Sequence, residues 1–187
     1  MRSEPEVLVL LSGGVDSAAT VAFYLEFGRP PAALFVDYSQ AARSEEARAA
    51  ADVAAHFGIP LSVATWNGPR GAKGVGLIPG RNLFLLAAAL FERPPSVTVL
   101  ALGLHAGTPY PDSSVPFFRA AETVIAQSGE AGVTVAAPFL DWPKGDVYTY
   151  ARRERVPFPL TYSCEAADGP CGRCLSCGDR KMLDACA

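Results

Sequence analysis

Short apolar runs alternate with longer segments of helical periodicity over most of the chain. The apolar runs predict five strands: Glu6–Leu11, Ala32–Val36, Leu61–Thr65, Val97–Leu102 and Val133–Ala136. The segments that follow them predict five helices: Asp16–Phe27, Ser44–Phe57, Arg81–Phe91, Val115–Ser128 and Lys144–Arg155. Strands that are apolar without alternation are typical of a parallel sheet buried on both faces. We therefore predict an α/β fold of three layers around a doubly wound, five-stranded parallel sheet.

Two segments stand out from this alternation. Arg81–Phe91 is apolar nearly all round, so we expect this helix to be buried. From Pro157 onward the periodic pattern fails, and too few apolar residues remain for a separate core. We therefore predict an α/β domain over residues 1–156 and a small C-terminal extension over residues 157–187 that packs on it.

The charge balance bears on the class of partner. The chain carries 16 basic and 19 acidic residues, for a net charge of −3. Nucleic-acid affinity rests largely on Lys and Arg contacts to phosphate, so this balance predicts no nucleic-acid partner.

No apolar run approaches the roughly 18 residues that a membrane span needs, and Val7–Leu11 follows acidic residues rather than the basic start of a signal peptide. We expect a cytoplasmic protein with no membrane partner.

The segment Ser12–Ser17 reads Ser-Gly-Gly-Val-Asp-Ser and joins the first predicted strand to the first predicted helix. Glycines let backbone N–H groups approach an anion, serine hydroxyls add donors, and a helix N-terminus favours negative charge. The segment lacks the lysine of a Walker A loop. Asp16 would cap backbone N–H groups or help to hold Mg²⁺, because a carboxylate repels phosphate. The alternative is an ordinary capped connection between strand and helix, but the complete motif favours phosphate binding.

Four cysteines lie within 14 residues near the C-terminus, at Cys164, Cys171, Cys174 and Cys177. Four thiolates at this spacing can close a tetrahedral Zn²⁺ site, and the metal would stabilise a segment that has little core of its own. Two disulfides and an iron–sulfur cluster are the alternatives, with structural zinc favoured in a reducing compartment. Cys186 has no partner at that spacing and is expected to be a free thiol.

The loop motif resembles the pyrophosphate loop of the PP-loop ATP pyrophosphatases. Members of that family cleave ATP between its α and β phosphates and adenylate a carbonyl or carboxyl oxygen, which an amine or sulfur then displaces. The resemblance implies that the loop and the start of the following helix bind ATP with Mg²⁺. The residues concerned are Leu11, Ser12, Gly13, Gly14, Val15, Asp16, Ser17, Ala18, Ala19, Thr20 and Val21.

Within that family, the chain resembles the 7-cyano-7-deazaguanine synthases from residue 7 to about residue 183. The motifs that carry this resemblance are Asp37–Gln40, Pro79–Asn82 with Phe84, Tyr110–Asp112, Lys144 with Asp146 and Val147, Thr161–Cys164, and Pro170–Cys177 with Arg180. The resemblance implies one structural Zn²⁺ per chain on the four cysteines. It also implies an ATP-dependent ligase whose substrates are ATP, 7-carboxy-7-deazaguanine and ammonia, and it leaves room for a homodimer.

The resemblance also implies roles for single residues. Asp16, Arg81 and Lys144 would act in catalysis, with the two cations neutralising charge on the α-phosphate and the leaving pyrophosphate. Asp112 would accept hydrogen bonds from the purine-like N–H edge of the substrate, and His105 follows the fourth strand, where ligand crevices form. The substrate-binding residues would be Asp37, Tyr38, Gln40, Asn82, His105, Tyr110 and Asp112.

Three departures from the family pattern fall around the expected substrate pocket. His105 stands where the family has Asn, Ala106–Pro109 replaces Asp-x-Ser-Gly, and Ser113 and Ser114 replace Cys-Arg. The segment before Pro79 is also shorter than in typical members. Other hypotheses are an enzyme that passes a deazaguanine acyl group to another amine or a protein, a tRNA-modifying enzyme, and a non-enzymatic nucleotide-binding subunit; the acidic balance argues against tRNA.

Overall fold

The computed structural model of the protein describes residues 4–66, 76–128, 132–166 and 169–185. Strands and helices alternate along these residues. The strands are β1 (Val7–Leu10), β2 (Ala32–Asp37), β3 (Leu61–Thr65), β4 (Val99–Ala101) and β5 (Thr134–Ala136). The α-helices are α1 (Val15–Glu26), α2 (Arg43–Phe57), α3 (Arg81–Glu92), α4 (Val115–Gln127), α5 (Lys144–Arg153) and α6 (Leu175–Ala185).

The five strands form one parallel sheet in the order β3-β2-β1-β4-β5. The central strand β1 pairs on both sides, with Leu8 opposite Ala32 in β2 and opposite Leu100 in β4. The chain runs outward from β1 through β2 to β3, then returns to the other side of β1 for β4 and β5. This order confirms the predicted doubly wound sheet, and it places the reversal of direction between β1 and β4.

Each face of the sheet carries its own core, because successive side chains of a strand point to opposite faces. Val7 and Val9 of β1 pack with α1, α2 and α5, whereas Leu8 and Leu10 pack on the other face with α3 and α4. All four side chains are buried. The continuous apolar run of the first strand therefore indicated its double burial correctly.

Helix α3 differs from the expectation that it is buried all round. Asn82, Leu86 and Ala89 are its buried residues, whereas Leu83 and Phe91 are 43% and 89% exposed. The prediction was wrong because a single face of α3 is enough to cover the strands beneath it. Within the described residues, no other helix lies over its outer face, so apolar side chains remain on the surface.

The C-terminal segment contains helix α6, which the sequence pattern did not predict as a helix. Leu183 of α6 packs against the core on the α1 side of the sheet, as does Phe158. The guanidinium of Arg180 donates to the Thr161 hydroxyl and to the Phe158 carbonyl. The extension thus lies against the α/β core, while its predicted boundary at residue 156 stays a prediction. No helix among the described residues has the length and apolar character that crossing a bilayer requires.

Candidate active site

A cavity of about 640 Å³ opens at the carboxyl ends of the strands, where β1 and β4 lie side by side. This position is the switch point at which open parallel sheets bind ligands. Its size falls within the roughly 300–1,000 Å³ of small-molecule sites. The cavity is lined by the loop after β1, the residues after β2 and β4, the starts of α3 and α5, and part of the C-terminal segment.

The loop Ser12–Ser17 forms one wall of this cavity and opens α1. The Ser17 hydroxyl donates to the Gly14 carbonyl at 2.9 Å, and the Ser12 and Ser17 hydroxyl oxygens lie 3.2 Å apart. Gly14 is the N-cap of α1, and no side chain caps the helix, so its first N–H groups are available to a ligand. An uncapped N-terminus with two hydroxyls beside it is suited to an anion such as phosphate.

Gly13 shows why the loop needs glycine. Its φ of 81° lies in the left-handed region, and an added Cβ would lie 2.7 Å from the Glu46 carbonyl oxygen and 2.7 Å from the Ala49 Cβ. The start of α2 therefore packs directly under the loop. The Gly13 carbonyl accepts a hydrogen bond from the Tyr162 N–H at 2.9 Å, so the C-terminal segment holds the loop from another side.

The residues that were predicted to bind ATP divide into two groups. Leu11, Ser12, Gly14, Val15, Asp16 and Ser17 line the cavity. Ala18, Ala19, Thr20 and Val21 are buried in α1 and lie outside the lining, as does Gly13. The second group supports the loop from within: the Thr20 hydroxyl, for example, donates to the Asp16 carbonyl. Their contact with ATP stays a prediction.

Two catalytic candidates that are distant in sequence meet beside the loop. The Lys144 ammonium donates to Oδ2 of Asp16 at 2.5 Å, which joins the first turn of α5 to the first turn of α1. Nε2 of His105 lies 3.9 Å from the same oxygen, while its Nδ1 lies 2.7 Å from the Ala106 carbonyl oxygen. Oδ1 of Asp16 is buried, and no group among the described residues donates a hydrogen bond to it. This end of the cavity therefore combines a cation with an unused carboxylate oxygen.

The opposite wall of the cavity holds Arg81. Its guanidinium carbon lies 5.9 Å from the centre of the Tyr110 ring, and it contacts Tyr38, the residue after β2. Burial raises the pKa of Tyr38 to about 12, and the charge of Arg81 opposes that shift. Tyr38 is therefore a neutral phenol at physiological pH. Arg81 therefore lines the cavity beside Tyr38 and Tyr110, whereas Lys144 of α5 lines it beside Asp16 of the loop.

Three further substrate-binding candidates use their polar groups inside the protein. Oδ1 of Asp37 accepts from the Ser39 N–H, and Asp37 lies outside the cavity lining. Oδ2 of Asp112 accepts from the Asn82 N–H at 3.2 Å, and the Asn82 amide donates to the Asp112 carbonyl at 2.6 Å. Asp112 is only 8% exposed and also lies outside the lining. Asp112 thus holds the start of α3, and its contact with substrate stays a prediction.

Three carboxylates of the cavity lining were not singled out from the sequence: Glu46, Glu165 and Asp179. Glu46 lies in the first turn of α2, and Glu165 follows the first cysteine of the cluster. Glu165 accepts hydrogen bonds from the Gly76 N–H at 2.7 Å and from the Ser176 hydroxyl at 3.0 Å. In the sequence, Glu46 is only one of the acidic residues that open a helix. Such residues usually interact favourably with the helix dipole, so its position did not indicate a site.

The four cysteines form a compact cluster. The sulfur atoms of Cys164, Cys171, Cys174 and Cys177 all lie within 4.8 Å of one another. None of these four is in a disulfide. Hydrogen bonds from the Arg173 and Cys174 backbone N–H groups lower the pKa of Cys171 to about 6, while burial raises that of Cys177 to about 12. Four convergent sulfurs can hold a metal ion, and an all-sulfur set at this distance is consistent with zinc.

The fold and the loop together are those of a PP-loop protein. The family model described as "Queuosine biosynthesis protein QueC" matches residues 64–183, and that of asparagine synthase matches residues 1–67. The chain belongs to the 7-cyano-7-deazaguanine synthase family and is therefore an ATP-dependent ligase that forms carbon–nitrogen bonds. This membership confirms the resemblance noted from the sequence motifs.

Curated relatives of that name align with nearly the whole chain. The synthase of Aquifex aeolicus (strain VF5) is 32% identical over 97% of this chain and 97% of the relative. That of Prochlorococcus marinus (strain NATL1A) is 30% identical over 93% and 90%. Among solved structures, a predicted subunit of tRNA methyltransferase from Methanocaldococcus jannaschii has a TM-score of 0.57 and 17% identity, covering 80% of this chain and 76% of that chain. At that identity the likeness shows the fold alone.

Proposed function

We propose that the protein converts 7-carboxy-7-deazaguanine to 7-cyano-7-deazaguanine. The substrate carboxylate attacks the α-phosphate of ATP and releases pyrophosphate, and ammonia then displaces AMP to give the amide. The amide oxygen attacks the α-phosphate of a second ATP and releases a second pyrophosphate, and loss of AMP together with the two N–H protons of the amide leaves the nitrile. The observation that carries this proposal is one cavity that joins the loop Ser12–Ser17 and Lys144 to a second wall built from Tyr38 and Arg81.

The loop would hold the phosphates through its backbone N–H groups and the hydroxyls of Ser12 and Ser17. Lys144 would move from Asp16 toward the charge that develops on the α-phosphate and on the leaving pyrophosphate. Fixed cations aimed at such charge are commonly worth two to three orders of magnitude in rate, or about 3–4 kcal/mol. Arg81 would hold the substrate carboxylate in line, since its guanidinium offers two parallel N–H donors.

Mg²⁺ fits the donor set at the loop. Oδ1 of Asp16 is buried and has no hydrogen-bond partner among the described residues, and a hard cation prefers carboxylate oxygen. When bound with ATP, Mg²⁺ would neutralise phosphate charge, and Asp16 would hold it.

For the cysteine cluster we propose one structural Zn²⁺ bound by Cys164, Cys171, Cys174 and Cys177. Four protein ligands would leave that metal no open position for substrate.

A second candidate differs only in the acceptor. Ala106, Thr108 and Pro109 line the cavity at positions where the family pattern carries Asp-x-Ser-Gly. A changed wall favours a changed acceptor, such as an amine on another small molecule or on a protein. We also propose that the protein is cytoplasmic, that it forms a homodimer, and that it has no nucleic-acid partner.

Product analysis tests the proposed function. The purified protein is incubated with ATP, Mg²⁺, 7-carboxy-7-deazaguanine and ammonia, and the nucleotides and deazaguanines are identified by chromatography and mass spectrometry. We expect AMP, pyrophosphate and the nitrile. Formation of ADP would show that the loop does not act as a pyrophosphate loop. AMP formation that depends on the carboxylate, with no amide until another amine replaces ammonia, would favour the second candidate.

A further inference from the structure

Glu46 is a partly buried carboxylate in the wall of the cavity, and the proposed function does not use it. It lies in the first turn of α2 and lines the cavity together with Tyr38 and Arg81, with both of which it interacts electrostatically. Burial raises the pKa of Glu46, and the charge of Arg81 acts in the opposite direction. A carboxylate that is buried in the wall of a ligand cavity is more typical of a functional group than of one that stabilises the fold.

Gln40 holds the Glu46 side chain in place. The Gln40 amide nitrogen donates to Oε2 of Glu46 at 2.8 Å, and it also approaches the Val36 carbonyl oxygen at 3.4 Å. The amide oxygen of Gln40 accepts from the Tyr38 N–H at 2.9 Å. Because both ends of this buried amide are engaged, Gln40 orients Glu46 and has little capacity left for a ligand.

The second oxygen of Glu46 is available. Among the residues that the structure describes, none donates a hydrogen bond to Oε1 of Glu46. Asp112, the residue predicted to face the purine-like edge, accepts from the Asn82 N–H through Oδ2. Its Oδ1 has no partner among the described residues but is buried, and Asp112 lies outside the cavity lining. Of these two carboxylates, only Glu46 therefore presents an acceptor to the cavity.

We propose that Glu46 accepts the hydrogen bonds of the N–H edge of the bound deazaguanine, an inference that rests on the proposed function. This edge carries a ring N–H beside an exocyclic amino group, so it offers two neighbouring donors. A carboxylate is an acceptor only, and each of its oxygens has two lone pairs. The available Oε1 and the second lone pair of Oε2, beside its hydrogen bond from Gln40, together complement both donors. The matching edge of adenine places a ring acceptor beside its amino group. Glu46 would therefore also disfavour adenine at this end of the cavity and direct ATP to the loop.

Calorimetric titrations of the full chain test this role. The variant is Glu46→Gln, and Glu45→Gln makes the same change on the neighbouring residue, which pairs with Arg48 on the protein surface. The ligands are 7-carboxy-7-deazaguanine, the same molecule without its exocyclic amino group, and ATP. In Glu46→Gln we expect the first ligand to bind about tenfold more weakly or worse, since one of its donors would face the amide NH₂. ATP affinity should be unchanged, and Glu45→Gln should match the wild type.

The second ligand identifies the edge. Removing the amino group should weaken binding to the wild type and make little difference to Glu46→Gln. The inference is overturned if Glu46→Gln binds 7-carboxy-7-deazaguanine as the wild type does, if it loses ATP instead, or if Asp112→Asn rather than Glu46→Gln removes the selectivity for the amino group. If the wild type binds ATP but not the carboxylate, the proposed substrate itself is wrong. Thermal unfolding of each variant confirms that it folds.

Discussion

Lys144 and Asp16 form an ion pair at 2.5 Å although 128 residues separate them. Both side chains are about three-quarters buried, so the pair lies in the cavity wall rather than on the open surface. Lys144 also lies 5.3 Å from the centre of the Tyr148 ring, on the next turn of α5. The carboxylate thus holds a cation beside the loop.

The first prediction concerns this cation. Lys144→Gln should lower kcat by about 100-fold or more, because the transition state loses a fixed positive charge. Steady-state kinetics of AMP release measure the effect, and the affinity for ATP should change much less. Arg119→Gln is the control, since Arg119 pairs with Glu122 on the exposed side of α4. An equal loss of activity in both variants would show that net charge, not the position of Lys144, is responsible.

The second prediction concerns the two glycines of the loop. Gly13→Ala should destabilise the protein by about 2 kcal/mol or more, because it combines a positive φ with two contacts at 2.7 Å. Gly14 has φ −77° and ψ 163°, and the nearest atom to its added Cβ is 3.5 Å away. Gly14→Ala should therefore change stability by about 1 kcal/mol or less.

Urea unfolding of the two variants measures the difference. The pair is matched because both substitutions add one methyl group to neighbouring positions of the same loop. Similar stabilities would mean that α2 does not pack under Gly13 as closely as the structure shows.

The third prediction concerns the metal. The isolated protein should carry about one Zn²⁺ per chain, and Cys174→Ser should lose most of it, because three thiolates bind zinc less tightly than four. Elemental analysis measures the content, and the midpoint of thermal unfolding should fall in the variant and after chelation. Cys186→Ser is the sequence-based control; Cys186 lies outside the described residues. Iron in place of zinc would contradict the assignment.

The fourth prediction follows from the raised pKa of Glu46. Its folded-state pKa lies above the unfolded value, so the folded state binds the proton more readily and is favoured at low pH. As the pH rises through the folded pKa, ionisation of Glu46 destabilises the protein. Glu46→Gln cannot ionise, so its free energy of unfolding should rise relative to wild type between acidic and neutral pH.

Urea unfolding across that pH range tests this dependence. The charged groups around Glu46 are Arg81 of α3, Asp37 at the end of β2 and Glu165 of the C-terminal segment, with the neutral Gln40 bonded to it. A constant difference between Glu46→Gln and wild type at every pH would mean that the Glu46 pKa is not raised.

Much of the fold could be predicted because its signals are local. The apolar run Val7–Leu10 indicated a doubly buried strand, and α2 ends at Phe57 as predicted, just before Gly58 with its φ of 64°. The loop Ser12–Ser17 and the cysteine spacing could be recognised for the same reason, since each motif lies within a short stretch of sequence. The surplus of apolar residues in α3 was misleading, because composition does not show which face of a helix finds a neighbour.

The sequence by itself therefore determined the five strands and the first five helices, the parallel sheet, the loop motif Ser12–Ser17 and the set of four sulfurs. The tertiary structure alone decided that Lys144 pairs with Asp16, that Asp112 supports α3, and that Glu46 rather than Asp112 faces the cavity. The physical reason is the distance along the chain over which the deciding interactions act. Strand and helix periodicity is set by neighbours along the chain, whereas the direction of a polar side chain is set by which distant backbone and side-chain groups satisfy it.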